Sequence, residues 1–191
     1  IGWCDWSSDV CSSDLVQLDP GRNSGLTRSD VEAELARTIG AAEVVWLPRG
    51  LTRDSQRFGT RGHVDIVAAF TAPGRLLLHT QTADEHPDTL VCKQLREVLA
   101  DSFDIVEMPA PDVLTDDEGY VDYSYINHLV VNGAVIACSF GDRRDADAAA
   151  VLAEQYPGRT VVSVDARPLF ARGGGIHCIT QQQPSAAEAA R

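Results

Sequence analysis

Cys178 lies between three glycines and three glutamines, in the stretch Arg172-Gly-Gly-Gly-Ile-His-Cys-Ile-Thr-Gln-Gln-Gln-Pro184. Glycine is costly to order and is kept where backbone must turn through positive φ or let another group approach closely. A thiolate nucleophile in a tight pocket meets that description. A flexible turn in front of an ordinary core cysteine meets it too, since free cysteine often behaves as a small hydrophobe. The second chemical signal is Gly62-His-Val-Asp65. If these residues open a strand, His63 and Asp65 point to one face and Val64 to the other, so an imidazole and a carboxylate stand side by side on a rigid element. Such a pair serves acid–base chemistry, a plain structural hydrogen bond, or metal ligation. No other His or Cys falls at metal-ligand spacing. His177 and Cys178 are neighbours, and on an extended backbone they face opposite ways, which makes His177 a poor base for the thiol.

The elements that must position these residues alternate between helix and strand. Thr27 to Ile39 carries Val31, Leu35 and Ile39 at four-residue steps, with Thr27 or Ser29 as N-cap and Gly40 as stop. Strands are predicted over Glu43 to Leu47, Val64 to Phe70 and Arg75 to Thr80, the last two joined across Pro73-Gly74. A helix follows over Pro87 to Asp101, then a strand from Phe103 to Met108. Ser124 to Val131 and Ala134 to Phe140 flank Asn132-Gly133, the strongest short hairpin signal. Asp145 to Tyr156 reads as a helix and Arg159 to Asp165 as a strand running into the glycines. Pro109 to Tyr123 reads as a surface loop. Hairpin, helix and single strand thus recur at about sixty residues, a repeating α/β organisation with antiparallel pairs and not one doubly wound sheet.

Ile1 to Asp14, IGWCDWSSDVCSSD, has no hydrophobic periodicity and looks like translated sequencing-adapter read-through, so 1–14 is set apart from a single domain over 15–184 and a tail over 185–191. Cys4 and Cys11 fall in the excluded part. The remaining Cys92, Cys138 and Cys178 are odd in number and scattered, which reads as reduced thiols of a cytoplasmic protein and not as a disulfide framework. The formal charge is −12, or −9 without Asp5, Asp9 and Asp14. This acidity argues against a nucleic-acid footprint and is compatible with a cationic ligand. No apolar run reaches membrane-spanning length, and no signal peptide opens the chain.

Trp46-Leu-Pro-Arg-Gly50, Gly62-His-Val-Asp65, Ser124-Tyr-Ile-Asn127, Asn132-Gly133, Phe140-Gly-Asp142, Tyr156-Pro-Gly-Arg159 and Gly173 through Pro184 together resemble the agmatine deiminases, in order and with suitable gaps, from about Arg22 to Pro184. The resemblance implies the pentein fold, a pseudo-fivefold α/β propeller of which about three modules would be present. It also implies hydrolysis of agmatine to N-carbamoylputrescine and ammonia, a step toward putrescine and other polyamines, with no metal or other cofactor and with a homo-oligomer left open. By the same resemblance Cys178 is the nucleophile, His63 the general acid and base, and Asp65 a carboxylate gripping the guanidinium, while Gly174 and Gly175 leave room for a flat substrate.

The family also has a carboxylate in an Arg-Asp-x-Gly-Pro segment nearer its N-terminus. Here Arg53-Asp54 is followed by Ser55-Gln56, so that segment is absent. The chain is therefore expected to be a C-terminal part with little activity of its own. Gly175 departs from relatives that carry Asn before Ile-His-Cys. Two other readings stay open: a hydrolase of the same fold acting on free or peptidyl arginine, and a non-catalytic ligand-binding domain in which Cys178 is a core thiol.

Overall fold

The computed structural model describes residues 14–55 and 60–181. The adapter-like reading of the N-terminal residues, the Gln182 to Pro184 end of the glycine motif and the 185–191 tail lie outside the described residues, except that Asp14 opens α1 (Asp14–Gln17). Helix α2 (Arg28–Ile39) begins on Thr27, whose Oγ1 accepts the Asp30 amide while the Asp30 carboxylate accepts the Thr27 amide. This capping box satisfies two otherwise orphaned donors. Gly40 ends the helix in the left-handed region at φ 74°, which a side chain would oppose.

Two units of the same kind follow. In the first, β1 (Ala68–Ala72) pairs antiparallel with β2 (Arg75–Thr80), α3 (Asp88–Leu99) crosses over, and β3 (Asp104–Pro109) returns parallel to β2. Next comes a small ladder of β4 (Thr115–Asp116) and β5 (Gly119–Tyr120). In the second unit, β6 (Leu129–Val131) pairs antiparallel with β7 (Ala134–Ser139), α4 (Asp145–Gln155) crosses, and β8 (Thr160–Asp165) lies parallel to β7. Each sheet is ordered with its second strand in the middle, β1-β2-β3 and β6-β7-β8. A central strand covered on both faces reads as an unbroken apolar run, and Leu76, Leu77 and Leu78 of β2 are all buried. Val91, Leu95 and Leu99 of α3 and Leu152 of α4 join the same core. The recurrence predicted from the hairpin signals is thus a repeated ββαβ unit.

Three predicted strands are shorter or missing. Glu43 to Leu47 takes no place in a ladder although Leu47 is buried, because alternation selects a face but cannot supply a pairing partner. Val64–Ile66 forms a 3₁₀ turn, closed by the Val67 amide on the Val64 carbonyl, and β1 starts only at Ala68. From the Ser124 to Val131 stretch only Leu129–Val131 pairs. The stretch read as a plain surface loop, Pro109 to Tyr123, carries the β4–β5 ladder and ends on the buried Asp122.

Buried carboxylates tie the segment ahead of β1 in place. Asp54 accepts the Thr60 amide at 2.6 Å, the Thr60 hydroxyl at 2.7 Å and the Gly62 amide at 2.5 Å. Asp88, in the first turn of α3, accepts the Thr52 amide at 2.7 Å and its hydroxyl at 2.6 Å. Among the described residues no such set of donors meets Asp122. Burial pushes its carboxyl up to about 7, and the charge of Asp54 adds to this against the opposing pull of Arg53. A carboxyl raised in the folded state above its unfolded value stabilises the fold at low pH and loses that contribution as pH rises through 7. Asp122→Asn therefore gains stability over the parent at pH 8, by roughly 2–4 kcal/mol, with the gain shrinking toward pH 4. Chemical denaturation across this pH range is the check; a pH-independent difference would contradict it.

Candidate active site

His63 and Asp65 owe their position to a contact between two glycines. A Cβ on Gly50 would lie 2.4 Å from the Gly62 α-carbon, so the two backbones pass closer than any side chain allows. Gly62 itself sits at φ 113° and Arg61 at φ 72°, a reversal that Asp54 holds through the Gly62 amide. The His63 amide donates to Thr60 Oγ1 at 3.2 Å, and the His63 ring Nε2 is 3.5 Å from Arg22 Nη1.

Cys178 arrives from the other end of the chain. Helix α5 (Arg167–Phe170) closes after β8, Gly173 turns the backbone at φ 91°, and His177–Ile179 form another 3₁₀ turn. That curvature overturns the expectation that His177 faces away from its neighbour, since both side chains meet Asp65. Asp65 Oδ2 lies 2.8 Å from His177 Nδ1 and 3.2 Å from Cys178 Sγ. His63, Asp65, Gly174, His177 and Cys178 line one open pocket of about 500 Å³, whose wall also includes Thr60 and Arg172. The candidates His63, Asp65 and Cys178 are thus brought together, although His63 and Asp65 get there on a turn and not on a strand.

The two glycine candidates divide. Gly174 lines the pocket, and a Cβ there would stand 3.0 Å from the Cys178 sulfur. Gly175 is buried behind the wall, where a Cβ would meet Asn127 Oδ1 at 2.4 Å and the Phe170 ring at 2.7 Å. It packs on protein and does not face the pocket. Sequence reasoning passed over Asn127, whose side-chain amide is 3.2 Å from Cys178 Sγ. Its one signal in the sequence is membership of the Ser124-Tyr-Ile-Asn127 motif.

The electrostatics of the site run against a free thiolate. Cys178 is exposed, yet crowding of its sulfur by protein, followed by the Asp65 charge, pushes the thiol up to about 11. Burial works to raise the Asp65 carboxyl as well, but hydrogen bonds from His177 and Cys178 outweigh it and hold the group below its ordinary value. Asp65 Oδ1 is buried without a hydrogen-bond partner among the described residues. Burial drives the other thiols up too, Cys92 to about 11 and Cys138 to about 12. Among the described residues no group of three or more His, Cys, Asp or Glu is placed to hold a metal ion, and no helix is long and apolar enough to cross a membrane.

Two outcomes follow from this geometry. Asp65→Asn removes the carboxylate that opposes the thiolate, so the pH midpoint for alkylation of Cys178 moves down from about 11; an unmoved midpoint would show that Asp65 does not govern the sulfur. Gly50→Ala drives a methyl into the Gly62 backbone and destabilises the fold by about 1–3 kcal/mol, read by denaturant titration.

The chain is similar to known proteins along nearly its whole length. A Streptomyces coelicolor protein provisionally named agmatine deiminase is 50% identical over 188 residues, covering 94% of this chain and 56% of its own length. The agmatine deiminase of Pseudomonas fluorescens is 34% identical, over 95% of this chain and 55% of its own. Among solved structures, the agmatine deiminase of Enterococcus faecalis superposes with a TM-score of 0.83 at 25% identity, over 93% of this chain and 54% of that one. A Porphyromonas gingivalis protein provisionally named arginine deiminase superposes at 0.84 with 26% identity, over 96% and 55%. The chain therefore spans about half the length of the relatives it matches. Residues 8–184 match one family description, a span that starts inside the N-terminal segment set apart above, and by that match the chain belongs to the Porphyromonas-type peptidyl-arginine deiminase family, to which its agmatine deiminase relatives give the pentein fold.

Proposed function

We propose that this chain is the part of an agmatine deiminase that carries the nucleophile, and that the complete enzyme hydrolyses agmatine to N-carbamoylputrescine and ammonia. The observation that carries the reading is the convergence of Cys178 Sγ, Asp65 Oδ2 and His63 on one pocket from segments more than a hundred residues apart. Names of relatives from Streptomyces and Pseudomonas point to the same substrate. The two ββαβ units are the modules such a propeller would repeat, with the rest of the ring supplied by the remaining length of the protein.

The chemistry follows from the charges. A guanidinium is a planar cation with a fork of N–H donors, and a carboxylate facing it makes charge-assisted bonds. Asp65 brings such a carboxylate to the pocket wall. Binding the cation there neutralises the charge that opposes the thiolate, so Cys178 becomes nucleophilic when substrate is in place. His63 takes the thiol proton as Sγ bonds to the guanidinium carbon, whose C=N π electrons pass to nitrogen. His63 gives a proton to the departing nitrogen, the C–N bond breaks and ammonia leaves. A water, deprotonated by His63, adds to the amidino carbon of the thioether; the C–S bond breaks, and the urea product and free thiol result. His177, bonded to Asp65 Oδ2, orients the carboxylate.

Asp65 is the one acidic residue lining the pocket among the described residues, so the guanidinium is gripped from one side only. Positioning is worth up to about 7–11 kcal/mol when fully expressed, and the 191-residue chain alone is accordingly expected to turn over agmatine weakly or not at all. A second reading, hydrolysis of an arginine-type substrate, is favoured by Arg172, which lines the same pocket and would pair with an α-carboxylate.

The deciding experiment uses this sequence joined to the remaining length of its relatives. Ammonia release from agmatine, with arginine and peptidyl-arginine as competitors, separates the two readings. Cys178→Ser abolishes turnover and the covalent adduct, and His63→Ala lowers kcat by about 10²–10⁴-fold. Turnover that survives Cys178→Ser would refute the assignment of the nucleophile.

A further inference from the structure

We propose that Asn127 is the positioning residue that sets the protonation of Cys178, its side-chain amide donating a hydrogen bond that favours thiolate over thiol. Asn127 is completely buried and lies just ahead of β6. Its backbone is fixed from behind, because the Cys138 thiol donates to the Asn127 carbonyl at 3.1 Å. Its side chain is fixed by partners of opposite kind. The His177 amide donates to Oδ1 at 2.9 Å, and Nδ2 donates to the Asp65 carbonyl at 3.1 Å. A backbone donor on one side and a backbone carbonyl on the other permit a single orientation of the amide. The remaining N–H is therefore directed at the sulfur, 3.2 Å away.

Two side chains thus act on one sulfur in opposite senses. Asp65 Oδ2 accepts the thiol proton and repels the anion that remains once the proton is gone. Asn127 donates to the sulfur in either state, and its bond strengthens when the acceptor carries charge. The burial of Asn127 and its link to the Asp65 carbonyl make the three residues one unit: the amide that touches the sulfur also anchors the backbone of the carboxylate that opposes it. Gly175 belongs to the same device. A Cβ at 175 would stand 2.4 Å from Asn127 Oδ1, so the glycine is the space the amide occupies.

The catalytic meaning of this inference rests on Cys178 being the nucleophile, but its test needs no turnover. Iodoacetamide alkylation of Cys178 in the 191-residue chain is followed by peptide mass spectrometry from pH 7 to 11, with buried Cys138 as an internal report on folding. A hydrogen bond to a charged group is worth one to two pH units in roughly this setting, so Asn127→Leu, neutral and of similar size, alkylates at Cys178 about tenfold or more slowly at pH 8. A merely structural role predicts the reverse, because a loosened turn exposes the sulfur and speeds the reaction. A rate equal to or above the parent's, with Cys138 still protected, overturns the proposal. If Asn127→Leu leaves Cys138 reactive, the decision passes to Gly175→Ala, whose added methyl displaces the amide without removing it: slowed alkylation supports the proposal and an unchanged or faster rate overturns it. Failure of the complete enzyme to act on agmatine would leave either result standing.

Discussion

One carboxylate oxygen, Asp65 Oδ2, holds the site together. It accepts from His177 and Cys178 at the same time, and so joins a turn at the start of the first ββαβ unit to a turn that follows the second. A carboxylate that is shielded from solvent must find donors, since burying its charge unpaired is costly. The site meets that need with the His177 ring and the Cys178 thiol, and this keeps the three side chains within reach of one another.

The rest of the structure serves the two turns that meet there. Asp54 organises the first through Thr60 and Gly62, and the Gly50–Gly62 approach lets that segment pack flat. The second depends on Gly173 for its reversal and on Gly174 for clearance beside the sulfur. The stacked rings of Tyr123 and Phe140, with Phe170 edge-on to each, belong to the core that holds these segments. Apolar burial supplies the energy that keeps these strained backbones in place, and the glycines lower the strain at the positions where positive φ is required.

Much of the fold was legible because it rests on local chemistry. The Thr27 cap and the Gly40 stop act within a few residues, and so do the Pro73-Gly74 and Asn132-Gly133 turns. The strand assigned to Val64 through Phe70 failed for a reason the letters do not carry. Its first residues are bent by a loop whose anchor, Asp54, lies outside the periodic segment, and a 3₁₀ turn took the place of alternation. Glu43 to Leu47 failed differently: strand formation needs a neighbour, and none is offered among the described residues.

For the site, residue type and local order were enough to mark Cys178, His63 and Asp65 as chemically capable, a thiol, an imidazole and a carboxylate in recognisable company. Residue type is silent on three further contacts: His177 turns back onto Asp65, Gly175 packs on Asn127 and not on the pocket, and Asn127 reaches the sulfur. Those are contacts between segments far apart in the chain. Sequence spacing carries directional information only along one regular element, and where the backbone leaves strand or helix for a 3₁₀ turn the direction of each side chain is set by what packs against it.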